Sequence, residues 1–336
     1  MKTLIFGAGP LGSLYAHLLH QAGKDVAILA RNKRYDFIKE HGLVLVNEFT
    51  GEKEASRVRV VNTLAEEDGY DLIVVLIRKN KLRPVFEVLS RNKNVENILF
   101  MGNNARGFDE YLDHLPRENV LFGFPGAGGG RKKQVVHYVD SEKPGGKRMP
   151  IRLGEIDGEV KERTRQIKLL FENSGVPVEI VNDMDGWLKY HAALVIPIAC
   201  VLYKHGCDNY ALAENEESVR VFIRACREGG DVLRKLGYTK RQPFKFNLFY
   251  WMPECITTKI FKGIFNTTYA EIGFAMHAKT ATDEMLELAD EFKILIDKTS
   301  VETPNINMLS SYLRPITSPI DPMRPSMDVE ITGISR

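Results

Sequence analysis

One short stretch constrains this chain more than any other: "KTLIFGAGPLGSLYAHLLHQAGKDVAILAR", residues 2–31. Lys2–Phe6 is a β-favouring apolar run, suited to a buried parallel strand. Gly7, Ala8, Gly9, Pro10, Leu11 and Gly12 follow at once. Apolar residues then recur at helical spacing until Gly23, a residue suited to a helix C-terminus. Asp25–Arg31 reads as a second strand. The GxGxxG therefore lies between a strand and a helix inside a βαβ unit, the context such a motif requires.

Each glycine has a separate job. The first allows the tight turn, the second lets a pyrophosphate approach the backbone, and the third brings helix and strand close together. The helix N-terminus then offers free N–H groups and partial positive charge to the phosphates. The pattern predicts a Rossmann-type dinucleotide site. NAD-binding units usually close the second strand with an acid for the ribose 2′-hydroxyl. Here the strand ends "ARNKR", with Arg31, Lys33 and Arg34 and no acid, which favours the 2′-phosphate of NADP.

Strand and helix patterns keep alternating beyond this unit, as a doubly wound parallel sheet requires. Asp71–Arg78 and Asn94–Asn104 read as strands, so Arg78, Asn103 and Asn104 fall at the carboxyl ends where such sheets hold ligands. Residues 126–130 read as a glycine-rich turn without the P-loop pattern. Residues 134–140 and 149–155 read as an antiparallel extension. From about residue 184 the pattern changes to long helices, with Lys189 on an otherwise apolar one. A buried lysine there could donate a proton, and a lysine with its head in water is the plainer reading. His277 and Lys279 show no partner in the sequence. The expected fold class is α/β: an N-terminal Rossmann-type doubly wound sheet (1–183), an all-helical C-terminal domain (184–310) and a Pro-rich tail (311–336).

Composition limits the partners. A net charge of +2 on 336 residues gives no strong field for nucleic acid or an anionic membrane. Cys200, Cys207, Cys226 and Cys255 lack zinc-site spacing and read as free or buried thiols in a reducing compartment. No basic n-region precedes the first apolar stretch, and no apolar run is long enough to span a bilayer, so the expected location is cytoplasmic.

Several segments together resemble the ketopantoate reductase (2-dehydropantoate 2-reductase) family. They are the opening glycine unit, "ILFMGNNARG" where that family has a Gln-Asn-Gly turn, "GWLKYHAALVIPIACVL" with its Trp-x-Lys, and "TDEMLELADEFKILIDKTSVETPNINML". The resemblance implies NADPH-dependent reduction of a small 2-oxo acid. It assigns Gly7, Gly9 and Gly12 to the pyrophosphate and Arg31 to the 2′-phosphate. Arg78, Asn103, Ala127 and Glu284 would lie around the cofactor, and Lys189 would be the catalytic proton donor. Three positions depart from the family. Its substrate-binding asparagines fall at Ala193 and Pro197, and Gly102 replaces the usual Gln, so a 2-oxo acid other than ketopantoate is the expected substrate. An opine- or hydroxyacid-dehydrogenase-type enzyme and a non-catalytic NADP-binding sensor share the same plan. The helical half and the tail are compatible with a homodimer.

Overall fold

The computed structural model describes residues 1–313. Most of the Pro-rich tail lies outside the described residues. Six parallel strands form the heart of the first half. In spatial order they are Val120–Phe124, Ile98–Met101, Leu72–Val75, Thr3–Phe6, Val26–Leu29 and Arg59–Val61. The four residues of Thr3–Phe6 and of Leu72–Val75 are all buried, as expected for strands covered on both faces. Ile151–Gly154 adds antiparallel to Val120–Phe124, and Val178–Ile180 pairs with it to complete eight strands. The chain builds outward from Thr3–Phe6 in one direction, then returns to place Leu72–Val75 on its other side. That reversal is the switch point where a crevice opens at the carboxyl ends.

A second sheet of four strands, in the order Lys53–Ser56, Leu43–Asn47, Val135–Val139 and Gly128–Lys132, packs on the glycine-motif helix Pro10–Gln21. This sheet corrects two expectations. Gly128–Lys132 is a strand and not a turn, paired antiparallel with Val135–Val139. Residues 134–140 and 149–155 do not extend one sheet, because Val135–Val139 and Ile151–Gly154 belong to different ones. The run of glycines serves close approach: a Cβ on Gly128 would lie 2.6 Å from the Gly273 Cα, and one on Gly130 would lie 2.0 Å from the Met276 sulfur. The hairpin thereby packs against the helical half.

The second half is helical. Met184–Lys204 and Glu216–Lys235 form its centre, flanked by Glu254–Phe265 and Thr282–Asp297. Met184–Lys204 is long and apolar enough to cross a membrane by length and composition, but 78% of that apolar window is buried inside the fold, as in a core helix. Asp183 caps it by accepting a bond from the Gly186 N–H at 2.8 Å. Trp187 docks its first turn on the sheet, 5.2 Å between ring centroids from Phe124. This anchor fixes where the next turn, with Lys189, points.

Candidate functional site

The glycine loop has the shape that a dinucleotide needs. Gly7 has φ +119, and a Cβ there would lie 2.8 Å from the Leu76 carbonyl oxygen. A Cβ on Gly12 would lie 1.9 Å from the Gly7 oxygen, so only glycine lets the helix approach its strand. A Cβ on Gly9 would meet nothing within 4 Å, because that position faces open space. The helix starts at Pro10 with no side-chain cap and no acid in its first turn. Its first N–H groups are therefore free for an anion. Ala8, Pro10 and Leu11 complete the loop. Ala127 is half-buried, packed against the core on which this helix rests.

The end of the second strand is basic but uneven. Arg31 and Lys33 are exposed, whereas Arg34 is buried. Arg34 is thus not a free phosphate ligand alongside Arg31. Its Nε donates to the Ala8 carbonyl at 3.2 Å and its Nη2 to Ser13 Oγ at 3.0 Å.

At the other end of the loop, the carboxyl ends of two strands meet the helix Thr282–Asp297. Asn103 Nδ2 donates to Glu284 Oε1 at 2.9 Å. Arg78 Nε lies 3.7 Å from Glu284 Oε2, and its Nη1 lies 3.3 Å from Asp283 Oδ1. His277 also faces Glu284, at 3.8 Å, which corrects its reading as a residue without a partner. Burial holds the His277 imidazole below its usual pKa, against the opposing pull of Glu284. Lys81 and Asn80 hold Asp283 down to about 2. Asn103 Oδ1 and Glu284 Oε2 are both buried without a hydrogen-bond partner. Buried acceptors of this kind call for a donor, from a ligand or a water.

Lys189 is buried, so it is not a lysine with its head in water. It bonds to Asp185, one helical turn earlier, and its ammonium lies 5.0 Å from the centre of the Tyr238 ring. Tyr238 in turn donates to Asp185 Oδ2 at 2.7 Å. A Cβ on Gly107 would lie 3.7 Å from Lys189 Nζ, so the lysine sits against the loop that carries Asn103. Burial and Asp185 push the Tyr238 phenol well above its usual range, which keeps it a hydrogen-bond donor. The structure thus gathers Arg78, Asn103 and Glu284 in one cluster and sets Lys189 behind the same loop. Arg31 stands at the opposite end of the glycine loop. Ala193 and Pro197 follow Lys189 on its helix, and both are buried. A Cβ on Gly229 would lie 3.0 Å from the Ala193 Cβ, so at this point two helices pack through small residues.

The sequence reading missed one buried network. Lys79 Nζ lies 2.5 Å from Glu291 Oε1 and donates to Asn104 Oδ1 at 2.7 Å. Glu291 Oε2 accepts from the Ala105 N–H at 3.0 Å, and Asn104 Nδ2 donates to the Gly107 carbonyl at 2.7 Å. Residues 103–107 are pinned from both halves of the molecule.

Residues 3–144 match the family model described as "Ketopantoate reductase PanE/ApbA". The matched part, residues 3–144, is similar to the ketopantoate reductase family. A 2-dehydropantoate 2-reductase of Archaeoglobus fulgidus is 27% identical over 240 residues, 70% of this chain and 75% of that protein. The oxidoreductase YkpB of Bacillus subtilis is 27% identical over 197 residues, 56% of this chain and 61% of that relative. Among solved structures, 2-dehydropantoate 2-reductase from Geobacter metallireducens GS-15 has a TM-score of 0.76 at 18% identity, covering 93% of this chain and 99% of that one. D-mandelate dehydrogenase with NADH and anilino(oxo)acetate has a TM-score of 0.73 at 17% identity, covering 93% and 97%. These likenesses agree with the α/β fold of a parallel sheet followed by helices.

Proposed function

We propose that this protein reduces the carbonyl of a small 2-oxo acid with NADPH. The observation that carries the reading is the pair of buried oxygens without a hydrogen-bond partner on Asn103 and Glu284, by the carboxyl ends of a dinucleotide-type sheet. The glycine loop, with Gly9 open to the cleft, fits a pyrophosphate, and Arg31 without a neighbouring acid fits a 2′-phosphate. When bound, the cofactor supplies a hydride to the carbonyl carbon.

The chain's own residues supply the rest. The backbone N–H groups of Gly9, Leu11 and Gly12 hold phosphate charge. Arg78, Asn103, Ala127 and Glu284 line the reactive end and orient what binds there. Lys189 gives a proton to the carbonyl oxygen as the C=O bond becomes C–H and O–H. Asp185 and Tyr238 keep the lysine's ammonium aimed from its buried seat.

Ala193 and Pro197 offer no side-chain hydrogen bond, and Ala193 is packed against Gly229, so these positions cannot recognise a substrate as the asparagines implied by the resemblance would. This favours a 2-oxo acid other than ketopantoate, and it supports a hydroxyacid-dehydrogenase activity as the second reading. D-mandelate dehydrogenase, with its aromatic oxo-acid ligand, is a neighbour in fold. The four free cysteines suit a reducing cytoplasm. Phe244 and Trp251 form an exposed edge-to-face pair, with centroids 5.3 Å apart, that suits a contact between subunits of a homodimer. The test is NADPH and NADH consumption against a panel of 2-oxo acids of graded side-chain size. Turnover with apolar acids supports the proposal. Tight NADPH binding without turnover on any acid favours a sensor.

A further inference from the structure

Arg34 is a buried guanidinium surrounded by neutral acceptors. Besides Ala8 and Ser13, its Nη1 donates to the Gln134 carbonyl at 2.6 Å and to Gln134 Oε1 at 3.3 Å. Burial, and then the nearby guanidinium of Arg131, pull its pKa down to about 10. The geometric link is Gln134, three residues beyond Arg131 on the same hairpin, which Arg34 grips by two hydrogen bonds. Gln134 belongs to the turn of the hairpin formed by Gly128–Lys132 and Val135–Val139. Arg131, Lys132 and Lys133 on that hairpin are all exposed. Arg34 therefore ties a second basic segment, 100 residues away in sequence, to the glycine loop.

We propose that Arg131 is a second ligand of the cofactor's 2′-phosphate, opposite Arg31, and that Arg34 is the positioning residue that holds the hairpin over this pocket. This rests on the NADPH reading above. The cationic segment of residues 31–34 supplies one wall of the pocket and the hairpin supplies the other. A guanidinium is suited to the task because its fork matches a phosphate through two hydrogen bonds. NADP preference then depends on two segments that the fold brings together.

The experiment measures dissociation constants for NADPH and NADH by fluorescence titration of the full chain and of Arg31→Gln, Arg131→Gln and Arg34→Met. Thermal melting without ligand checks folding. The expected result for Arg131→Gln is NADPH binding weakened on the order of ten- to a hundredfold, with NADH binding unchanged. Arg34→Met should lower NADPH affinity to a similar extent, with NADH affinity changed less, while the melting curve stays a single cooperative transition even though lost hydrogen bonds lower its midpoint. If Arg131→Gln weakens both cofactors equally, or neither, the proposal is overturned. Arg31→Gln separates the two ideas. Loss of NADPH preference in Arg31→Gln alone leaves the NADPH reading intact and removes Arg131 from the pocket. Loss in neither variant removes the 2′-phosphate site itself.

Discussion

Asn103 and Glu284 lie 181 residues apart in sequence and meet through one hydrogen bond of 2.9 Å across the seam between sheet and helices. Each keeps one buried oxygen without a hydrogen-bond partner, and the one on Glu284 faces Arg78 Nε at 3.7 Å and His277 at 3.8 Å. The bond fixes the relative position of a strand end and a helix start. Glu284→Gln tests this directly. The amide oxygen can still accept from Asn103, so folding stability should fall by no more than about 1–3 kcal/mol. The charge facing Arg78 and His277 is lost, so kcat/KM for a 2-oxo acid should fall at least about tenfold. Unchanged kcat/KM in a folded variant would remove Glu284 from the site.

The glycines separate folding from binding. Gly9→Ala places its methyl in open space with a φ of −71, so melting should hardly change, while NADPH affinity drops because that space is the cofactor's. Gly12→Ala drives its methyl against the Gly7 carbonyl and should lose both stability, by about 1–3 kcal/mol or more, and binding. Thermal melts with cofactor titration read both effects. Equal behaviour of the two variants would contradict this assignment of roles.

The Lys79–Glu291 pair is buried on both sides. Glu291→Ala leaves an ammonium without its partner and should cost about 3–5 kcal/mol in denaturant unfolding. The double variant Lys79→Met/Glu291→Leu removes both charges and should recover most of that loss. A double variant no more stable than Glu291→Ala would show that shape, not charge, governs the site.

This network also marks where the sequence stops being informative. The GxGxxG unit is local: strand, turn and helix lie within 30 residues, and the spacing states its own geometry. Lys79 stands among Arg78, Lys81 and Arg83 and looks like part of a solvated basic turn. Only the fold reveals its acid partner, more than 200 residues onward. Asp185 was within reach, since an acid four residues before a lysine on one helix is a spacing rule. The strand Lys53–Ser56 was not, because "KEAS" carries no apolar alternation and is ordered by its pairing with Leu43–Asn47. Arg34 looked equivalent to Arg31 until packing turned one inward and left the other in water.

Acid should weaken the fold through His191. Burial, and then Arg152 and His277, push its pKa from 6.5 down to about 3, while its ring stacks on Trp187 and contacts Phe124. Below pH 6.5 the unfolded chain takes up a proton that the folded chain refuses, so stability falls as pH drops from 6.5 toward 3. His191→Phe keeps a ring in the stack and should remove at most about 2 kcal/mol of the loss between pH 6.5 and 5. Denaturant titrations at both pH values check this. Identical pH dependence in variant and parent would show that His191 is not the group responsible.

The most direct test of the central claim is single-enzyme turnover of the preferred 2-oxo acid by the parent and Lys189→Ala proteins, each first shown to bind NADPH. The account predicts equal cofactor affinity and a fall in kcat on the order of 10²–10⁴ in the variant, the contribution of a positioned proton donor. Full turnover in Lys189→Ala would contradict it.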